Sequence, residues 1–355
     1  MDSPRHGSPS AAFRVYPSRC LGQVLDLELH RYCACGCLTC PHEGRRGAPR
    51  RQATFEGYGR TRHAFTGPEA LGLESDLPAQ VENWLSQVPR SERPAFVSVG
   101  LGAEPLPGFE ASTAVLLQCL QRLLRAGVGI SMRTRRNIPD PVLELLRAHA
   151  DDVRVTVPLP LLDSQTLATW EPGTGSPNQR LFNVQRLRAA RIPVGVLIKP
   201  LIPFVNDDRT ALERLVNAVA DTGVKQLSAA FLRLRPTVRR RLDEESPVST
   251  RLIYGAYLDR QPEGDRPRLL PDPEVRRTAY RTLSQAASRR GLKLRLCQCA
   301  DPDFGRDVCL YWPDDLRPAP AGATGGGSRQ PPQKRAPERR GKSKGQVDQD
   351  DLLEE

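Results

Sequence analysis

The sequence predicts an α/β protein built on a parallel sheet. Three observations carry that expectation. Short runs rich in Val, Ile and Leu recur along the chain. Between successive runs lies a stretch with the period of an amphipathic helix. The spacing is that of βα repeats rather than of hairpins, and parallel strands need such crossovers. Six strands in this rhythm leave two architectures open, an open doubly wound sheet and a full or partial barrel.

Residues 1–20 are rich in Pro and Ser and are expected to form a flexible N-terminus. QVLDLELH, residues 23–30, alternates apolar and polar side chains as a half-buried strand does. A cysteine-dense loop follows it directly. Residues 42–70, rich in Gly, Arg and Pro, read as a long loop. A helix near 79–88 then precedes the strand AFVSVGL (95–101), and a helix near 113–125 precedes VGISMRT (128–134). A helix over 140–149 leads to VRVTVPL (153–159), and one over 178–190 to PVGVLIK (193–199). A helix over 208–221 leads to QLSAAFLRL (226–234). Helical segments near 249–258 and 272–290 follow, the second with Asp272 as N-cap and Pro273 in its first turn. LKLRLCQC (292–299) is a last short strand. From Pro313 onward the chain lacks the apolar residues needed to order it. The expected organisation is a flexible segment 1–20, a core 21–235, a C-terminal extension 236–312 and a disordered tail 313–355.

The chain has 355 residues and a net charge of +11. From Pro313 to Glu355 eight Lys and Arg face eight Asp and Glu, so the excess sits in residues 1–312. It concentrates in RRGAPRR (45–51) with Arg60 and Arg62, and in Arg239, Arg240 and Arg241. Such excess suits an anionic partner such as nucleic acid, phosphate or an acidic carrier, or else a solvated face in an arginine-rich sequence. The first 20 residues hold no apolar run of leader length, and no stretch approaches the ~18 apolar residues of a membrane span. The expected setting is the reducing cytoplasm with no membrane contact. There, clustered thiols read as metal-binding or catalytic rather than as disulfides.

RYCACGCLTC, residues 31–40, places Cys33, Cys35, Cys37 and Cys40 in one loop. A structural zinc prefers two cysteine pairs far apart in sequence. The CxxC of Cys37 and Cys40 has no thioredoxin-like helix start behind it. Iron–sulfur clusters take closely spaced thiolates, and three of them around a cubane leave one iron open for chemistry. Counting along the loop finds the triplet Cys33-x3-Cys37-x2-Cys40, whose use would leave Cys35 a bystander or alternative ligand. Cys119, inside the helical AVLLQCLQRLL, reads as core. The five histidines show no metal-ligand spacing, and His30 reads as support for the loop rather than a ligand. Cys297, Cys299 and Cys309 form a candidate second site for an iron–sulfur cluster or zinc, with Cys20 or Cys35 as a fourth ligand. The plainer reading is reduced cysteines on a strand and turn.

The cysteine spacing, its place after the first strand and the βα rhythm resemble the radical S-adenosylmethionine (SAM) superfamily. Over residues 23–235 the chain resembles the branch that includes spore photoproduct lyase. The segments that carry this are Glu104-Pro105 with Glu110, Thr134-Arg135, Glu171-Pro172 with Pro177 and Arg180, and IPVGVLIKPLIPFVND (192–207). The resemblance implies a partial (β/α)6 TIM-type barrel with a C-terminal helical extension, and residues 21–235 as the radical SAM core. It implies a [4Fe–4S] cluster on Cys33, Cys37 and Cys40 and bound SAM. Gly102, Ala103 and Glu104 would lie along the methionine moiety, and Arg135 would pair with its carboxylate. Lys199 would face SAM or substrate, and Glu171 would hold the ribose or cap a helix start.

The implied activity is reductive cleavage of SAM to a 5′-deoxyadenosyl radical, which abstracts hydrogen from a substrate that the sequence does not name. The reaction would be lyase-like or an oxidoreduction. The implied partners are a reductant such as flavodoxin or ferredoxin and an anionic substrate, nucleic acid among the candidates. Two departures stand out. Thr39 occupies a position that is often aromatic, and Gly100 and Gly102 stand where spore photoproduct lyases carry a hydrogen-donating cysteine. The alternative is a non-catalytic iron–sulfur or zinc protein that binds nucleic acid through its basic loop.

Overall fold

A computed structural model describes residues 12–40, 52–54, 61–63, 68–69, 71–245, 250–257 and 269–305. Its chain begins with an antiparallel hairpin of β1 (Phe13–Ser18) and β2 (Gly22–Leu27). Two small strands, β3 (Gln52–Thr54) and β4 (Thr61–His63), pair with each other apart from the main sheet. The repeats then run α1 (Leu77–Gln87), β5 (Phe96–Val99), α2 (Glu110–Arg125), β6 (Gly129–Arg133), α3 (Asp140–Ala148) and β7 (Val153–Pro158). They continue through α4 (Ser164–Trp170), α5 (Pro177–Ala189), β8 (Val194–Leu201), α6 (Arg209–Asp221) and β9 (Gln226–Phe231). The extension contributes α7 (Pro236–Glu245), α8 (Thr250–Gly255), α9 (Pro273–Arg289) and β10 (Lys293–Arg295).

The main sheet has the order β1-β2-β5-β6-β7-β8-β9-β10. Neighbours pair in parallel throughout, except β1 with β2. Its edges are β1 and β10, so the sheet is unclosed. The outcome is the partial TIM-type barrel rather than a doubly wound sheet, with the cysteine loop at the C-terminal end of β2.

The strand interiors explain the rhythm seen in the sequence. Val97, Val99, Ile130, Met132, Val153, Val155, Val157, Val196 and Ile198 are all buried, as strands covered by helices require. Helix α2 buries Val115, Leu116, Cys119, Leu120, Leu123 and Leu124, a stripe repeating every three or four residues. Cys119 is fully buried among them, and burial pushes its thiol up to about 12. Helix starts carry their expected caps. Ser176 and Gln179 form a reciprocal capping box on α5, Asp208 accepts from Ala211 N, and Asp272 accepts from Glu274 N ahead of Pro273.

Several elements depart from expectation. Within the N-terminal segment expected to be flexible, residues 13–18 form β1; Pro17 is tolerated there because this is an edge strand. The long loop over 42–70 contains the β3–β4 pair. Helices α4 and α7 have no counterpart among the expected elements; α4 is a short helix held by its Asp163 cap, and the apolar residues that α7 buries are Val238 and Leu242, set among charged ones. The tail from 313 and Cys309 lie outside the described residues. Among the described residues no helix is long and apolar enough to cross a membrane.

The extension joins the core. β10 extends the sheet beside β9, and Tyr280, Leu283 and Ala287 of α9 enter the same hydrophobic core as the strands. A buried polar knot locks its end. Arg276 pairs with Asp301 and Asp303, and the Tyr280 hydroxyl donates to Asp301 Oδ2 at 3.0 Å. Asp301 also accepts from the backbone N–H of Asp303 and Phe304. Asp301→Ala is therefore expected to destabilise the protein by about 3–5 kcal/mol, because Arg276 keeps a buried charge with only the half-exposed Asp303 beside it. Asp303→Ala should cost less than half as much. Urea unfolding of both variants measures the difference, and equal losses would contradict a dominant role for Asp301.

Candidate functional site

The chain leaves β2 through His30, which is 1% exposed and places Nε2 2.8 Å from Ser112 Oγ on α2. Residues 31–40 then form an irregular loop, whose backbone groups must find partners outside it. Leu38 N donates to Trp170 O at 2.9 Å, and Gly173 N donates to Cys35 O at 2.9 Å. Arg241, reaching in from α7, donates through Nη1 to the carbonyls of Cys37, Leu38 and Cys40 at 3.1, 3.2 and 3.0 Å. Arg241 is thus a buried clamp on the loop and not part of a solvated basic face.

Cys35 and Cys37 are buried, and Cys33 and Cys40 are half-buried. The thiol of Cys35 sits against those of Cys33 and Cys37. The Cys33 thiol is lowered to about 7, first by the Cys35 hydrogen bond, with burial opposing and the backbone N–H groups of Cys35 and Glu104 assisting. The Cys35 thiol moves the opposite way, raised by the same contact and by Cys37. Glu104 N donates to Cys33 Sγ at 3.3 Å. A loop of partly exposed thiols, one receiving a backbone N–H, suits a thiolate-held iron–sulfur cluster, whose electronics respond to such hydrogen bonds.

The segment after β5 packs directly on this loop. Asp26 on β2 accepts from Leu101 N at 3.2 Å and from Gly102 N at 3.1 Å; burial raises its carboxyl to about 8. Gly100 has φ +95°, and a Cβ there would lie 2.2 Å from Arg133 O. A Cβ on Gly102 would lie 1.8 Å from Glu28 Oε1. Glu104 turns its buried carboxylate into the protein, accepting from Thr134 Oγ1, from Arg135 N at 2.9 Å and from Leu106 N at 3.3 Å. Burial raises its pKa despite these donors. What Glu104 presents to the cysteine loop is therefore its backbone N–H, while Gly102 N is held by Asp26.

Glu171 sits at the end of α4, 3% exposed. It caps no helix start, since α5 begins at its own Ser176 cap. Its carboxylate instead bridges Arg135 Nε at 3.3 Å and Arg180 Nη2 at 2.6 Å. Arg180 is fully buried and also donates to Gly175 O and Pro158 O. For Arg135, burial works against the charge, but Glu171, then Cys37 and Cys35, hold it protonated. Gly175 N donates to Arg135 O at 2.9 Å, and a Cβ on Gly173 would lie 2.1 Å from Ala34 O.

Lys199 on β8 is half-buried and lowered to about 7, chiefly by burial and then by Arg133, Arg135 and Arg233. Glu28 on the exit from β2 takes the Tyr16 hydroxyl at 2.7 Å and Arg14 at 3.2 Å.

A second thiol group includes Cys297, whose charge acts on Lys199. Cys20 Sγ is 3.5 Å from both Cys297 Sγ and Cys299 Sγ. Among the described residues these three are the group of metal-ligating side chains whose donor atoms all fall within 4.8 Å of one another. Of the fourth ligands considered, the structure brings up Cys20; Cys35 stays in its own loop. Residues 45–51 and Arg60 of the basic segment lie outside the described residues.

No family model matches this chain. It is 26% identical over 176 residues to an uncharacterized protein of Mycobacterium tuberculosis, covering 47% of this chain and 52% of that protein. It is 29% identical over 119 residues to an uncharacterized protein of Acidianus two-tailed virus, covering 33% of this chain and 40% of that one. The chain spans about half the length of the curated relatives it matches. Among solved structures, a mutant of spore photoproduct lyase aligns with TM-score 0.55 and 14% identity, over 82% of this chain and 79% of that one. Another, with bound AdoMet and dinucleoside spore photoproduct, aligns with TM-score 0.54 and 14% identity, over 79% of this chain and 78% of that one. The resemblance to the spore photoproduct lyase branch of the radical SAM superfamily thus extends to the fold.

His30 generates a pH-dependent stability. Burial lowers its pKa from 6.5 to about 4, so the folded state binds fewer protons than the unfolded one between those values. Stability should fall as pH drops from about 6.5 to about 4, by up to about 3 kcal/mol, and then level off. Urea titrations of wild type and His30→Gln across that range check the expectation, since the variant should lack this component. Parallel curves would rule out His30 as the titrating group.

Proposed function

We propose that this chain is a radical SAM enzyme acting on an anionic substrate. The observation that carries the proposal is the Cys33-x3-Cys37-x2-Cys40 loop at the C-terminal end of the first parallel strand, with Glu104 N–H directed at Cys33 Sγ. The likeness to spore photoproduct lyase in fold supports it. When bound, a [4Fe–4S] cluster with SAM supplies reductive cleavage to methionine and a 5′-deoxyadenosyl radical.

The chain's own contribution is holding and orienting. Cys33, Cys37 and Cys40 would carry the cluster, and Arg241 fixes the three carbonyls beneath them. Gly102 and Ala103, next to the Glu104 N–H on Cys33, would lie along the methionine moiety of SAM. Arg135 keeps its Nε on Glu171, leaving its remaining N–H groups for a carboxylate such as that of SAM. Glu171 holds Arg135 in place rather than touching ribose. Lys199, with Arg133 and Arg233 near it, would receive an anionic group, and its pKa near 7 lets its charge follow arrival of that group. Nucleic acid fits this chemistry and the +11 charge. The electron would come from a flavodoxin- or ferredoxin-like reductant in the cytoplasm.

Anaerobic reconstitution with iron and sulfide, followed by dithionite and SAM, tests the reading. The expected result is 5′-deoxyadenosine formation. A reconstituted, folded protein that forms none would overturn it. Changing Cys33, Cys37 or Cys40 to Ala should remove both the absorbance near ~400 nm and the product, while Cys35→Ala should preserve both. Bleaching by Cys35→Ala but not by Cys33→Ala would shift the ligand register. Arg135→Ala should weaken SAM binding by about 1.5–3 kcal/mol without loss of iron. Equal SAM affinity in calorimetry would remove Arg135 from the SAM site.

A further inference from the structure

We propose that Cys20, Cys297 and Cys299 bind a zinc ion that pins together the two edges of the open sheet. Cys20 lies in the turn between β1 and β2, and Cys297 and Cys299 follow β10. β1 and β10 are the edge strands, at opposite ends of the sheet order. Sulfurs 277 and 279 residues apart in sequence meet at 3.5 Å. No backbone ladder joins these edges, so the thiols mark the place where the unclosed barrel meets itself.

The spacing favours a single tetrahedral ion over a cubane. Zn–S bonds of ~2.3 Å at tetrahedral angles put ligating sulfurs about 3.8 Å apart. Two observed separations are 3.5 Å and all three lie within 4.8 Å, so a widening of those two contacts by about 0.3 Å brings them to the separation of three corners around one ion. A cubane gives each thiolate to a different iron, which would force these sulfurs well apart. The donors are also held in advance. Ala300 N and Asp301 N both donate to Cys297 O at 2.9 Å, and Gly305 N donates to Asp301 O at 2.8 Å, making a tight knuckle. A Cβ on Gly305 would lie 2.3 Å from Gln298 N, so the knuckle closes only with glycine there. Asp301, the hinge of that knuckle, is anchored by buried Arg276. Cys297 is fully buried, and Arg233 donates to Cys299 O at 3.2 Å, placing a cation beside the negative charge of a zinc tris-thiolate.

The test uses the full chain with Cys33, Cys37 and Cys40 all changed to Ala, purified under reducing conditions with zinc and iron supplied. Elemental analysis should find about one zinc per chain, falling at least about tenfold when Cys20→Ser or Cys297→Ser is added. Cobalt substitution should give the thiolate charge-transfer and tetrahedral d–d bands, lost in the same variants. Should the triple variant fail to fold, wild type and Cys20→Ser are compared directly: zinc should be lost and cluster iron kept. A folded triple variant without zinc overturns the proposal. So does iron with acid-labile sulfide that depends on Cys20, or a Cys20 disulfide found in a zinc-free chain.

Discussion

Glu171 is a buried carboxylate on which the arrangement of the site converges. Removing such a group from water costs several kcal/mol, and only charged partners with good geometry can offset it. It has two, Arg135 and the fully buried Arg180. Each arginine belongs to a different part of the barrel. Arg135 follows β6, while Arg180 rises from α5 and reaches the carbonyl of Pro158 at the end of β7. The flanking backbone does the rest: Trp170 O and Gly173 N bracket the cysteine loop, and Gly175 N returns to Arg135 O. One carboxylate therefore sets the height of the cysteine loop relative to two strand ends. The loop has no regular structure of its own and takes its shape from these neighbours.

Arg241 completes that shape from the other side. A single guanidinium nitrogen facing three carbonyls draws the chain around Cys37–Cys40 into a turn. Support thus comes from several elements: residues 71 and 72 hold the start of the loop, Gly173 holds Cys35, and α4 and α7 both hold Leu38. The C-terminal extension, which looks like an appendage in sequence, supplies a necessary support.

What the sequence disclosed follows from range. The strands buried on both faces announce themselves through local apolar runs, and the cysteine spacing is local too. The N-caps Asp272 and Ser176 act over three residues. The missed elements lack local signal: β1 carries Pro17 and Arg14 and gains its place from pairing with β2, and α7 is dominated by charge. Arg241 lies 201 to 204 residues from the carbonyls it holds, and nothing in its neighbourhood distinguishes it from Arg239 or Arg240. Glu171 was singled out by motif, but its ion-pair role needed the fold, because its partners are 36 and 9 residues away on different elements.

The glycines after β5 say something about the reaction. Spore photoproduct lyases carry a hydrogen-donating cysteine in this region, and here Gly100 and Gly102 occupy it. Gly100 could not be exchanged for cysteine in this backbone, whereas at Gly102 the ends of the Glu28 and Tyr16 side chains would have to move aside. Gly100 adopts a left-handed φ with Arg133 O against its missing Cβ, and Gly102 is crossed by Glu28 and Tyr16. The space a side chain at Gly102 would need is occupied by the hydrogen-bonded Tyr16–Glu28 pair. A substrate radical formed at this mouth would have no thiol from these two positions to return a hydrogen atom. Within the proposed reading, the chemistry after hydrogen abstraction differs from that of a lyase using such a donor, although the two chains share a fold.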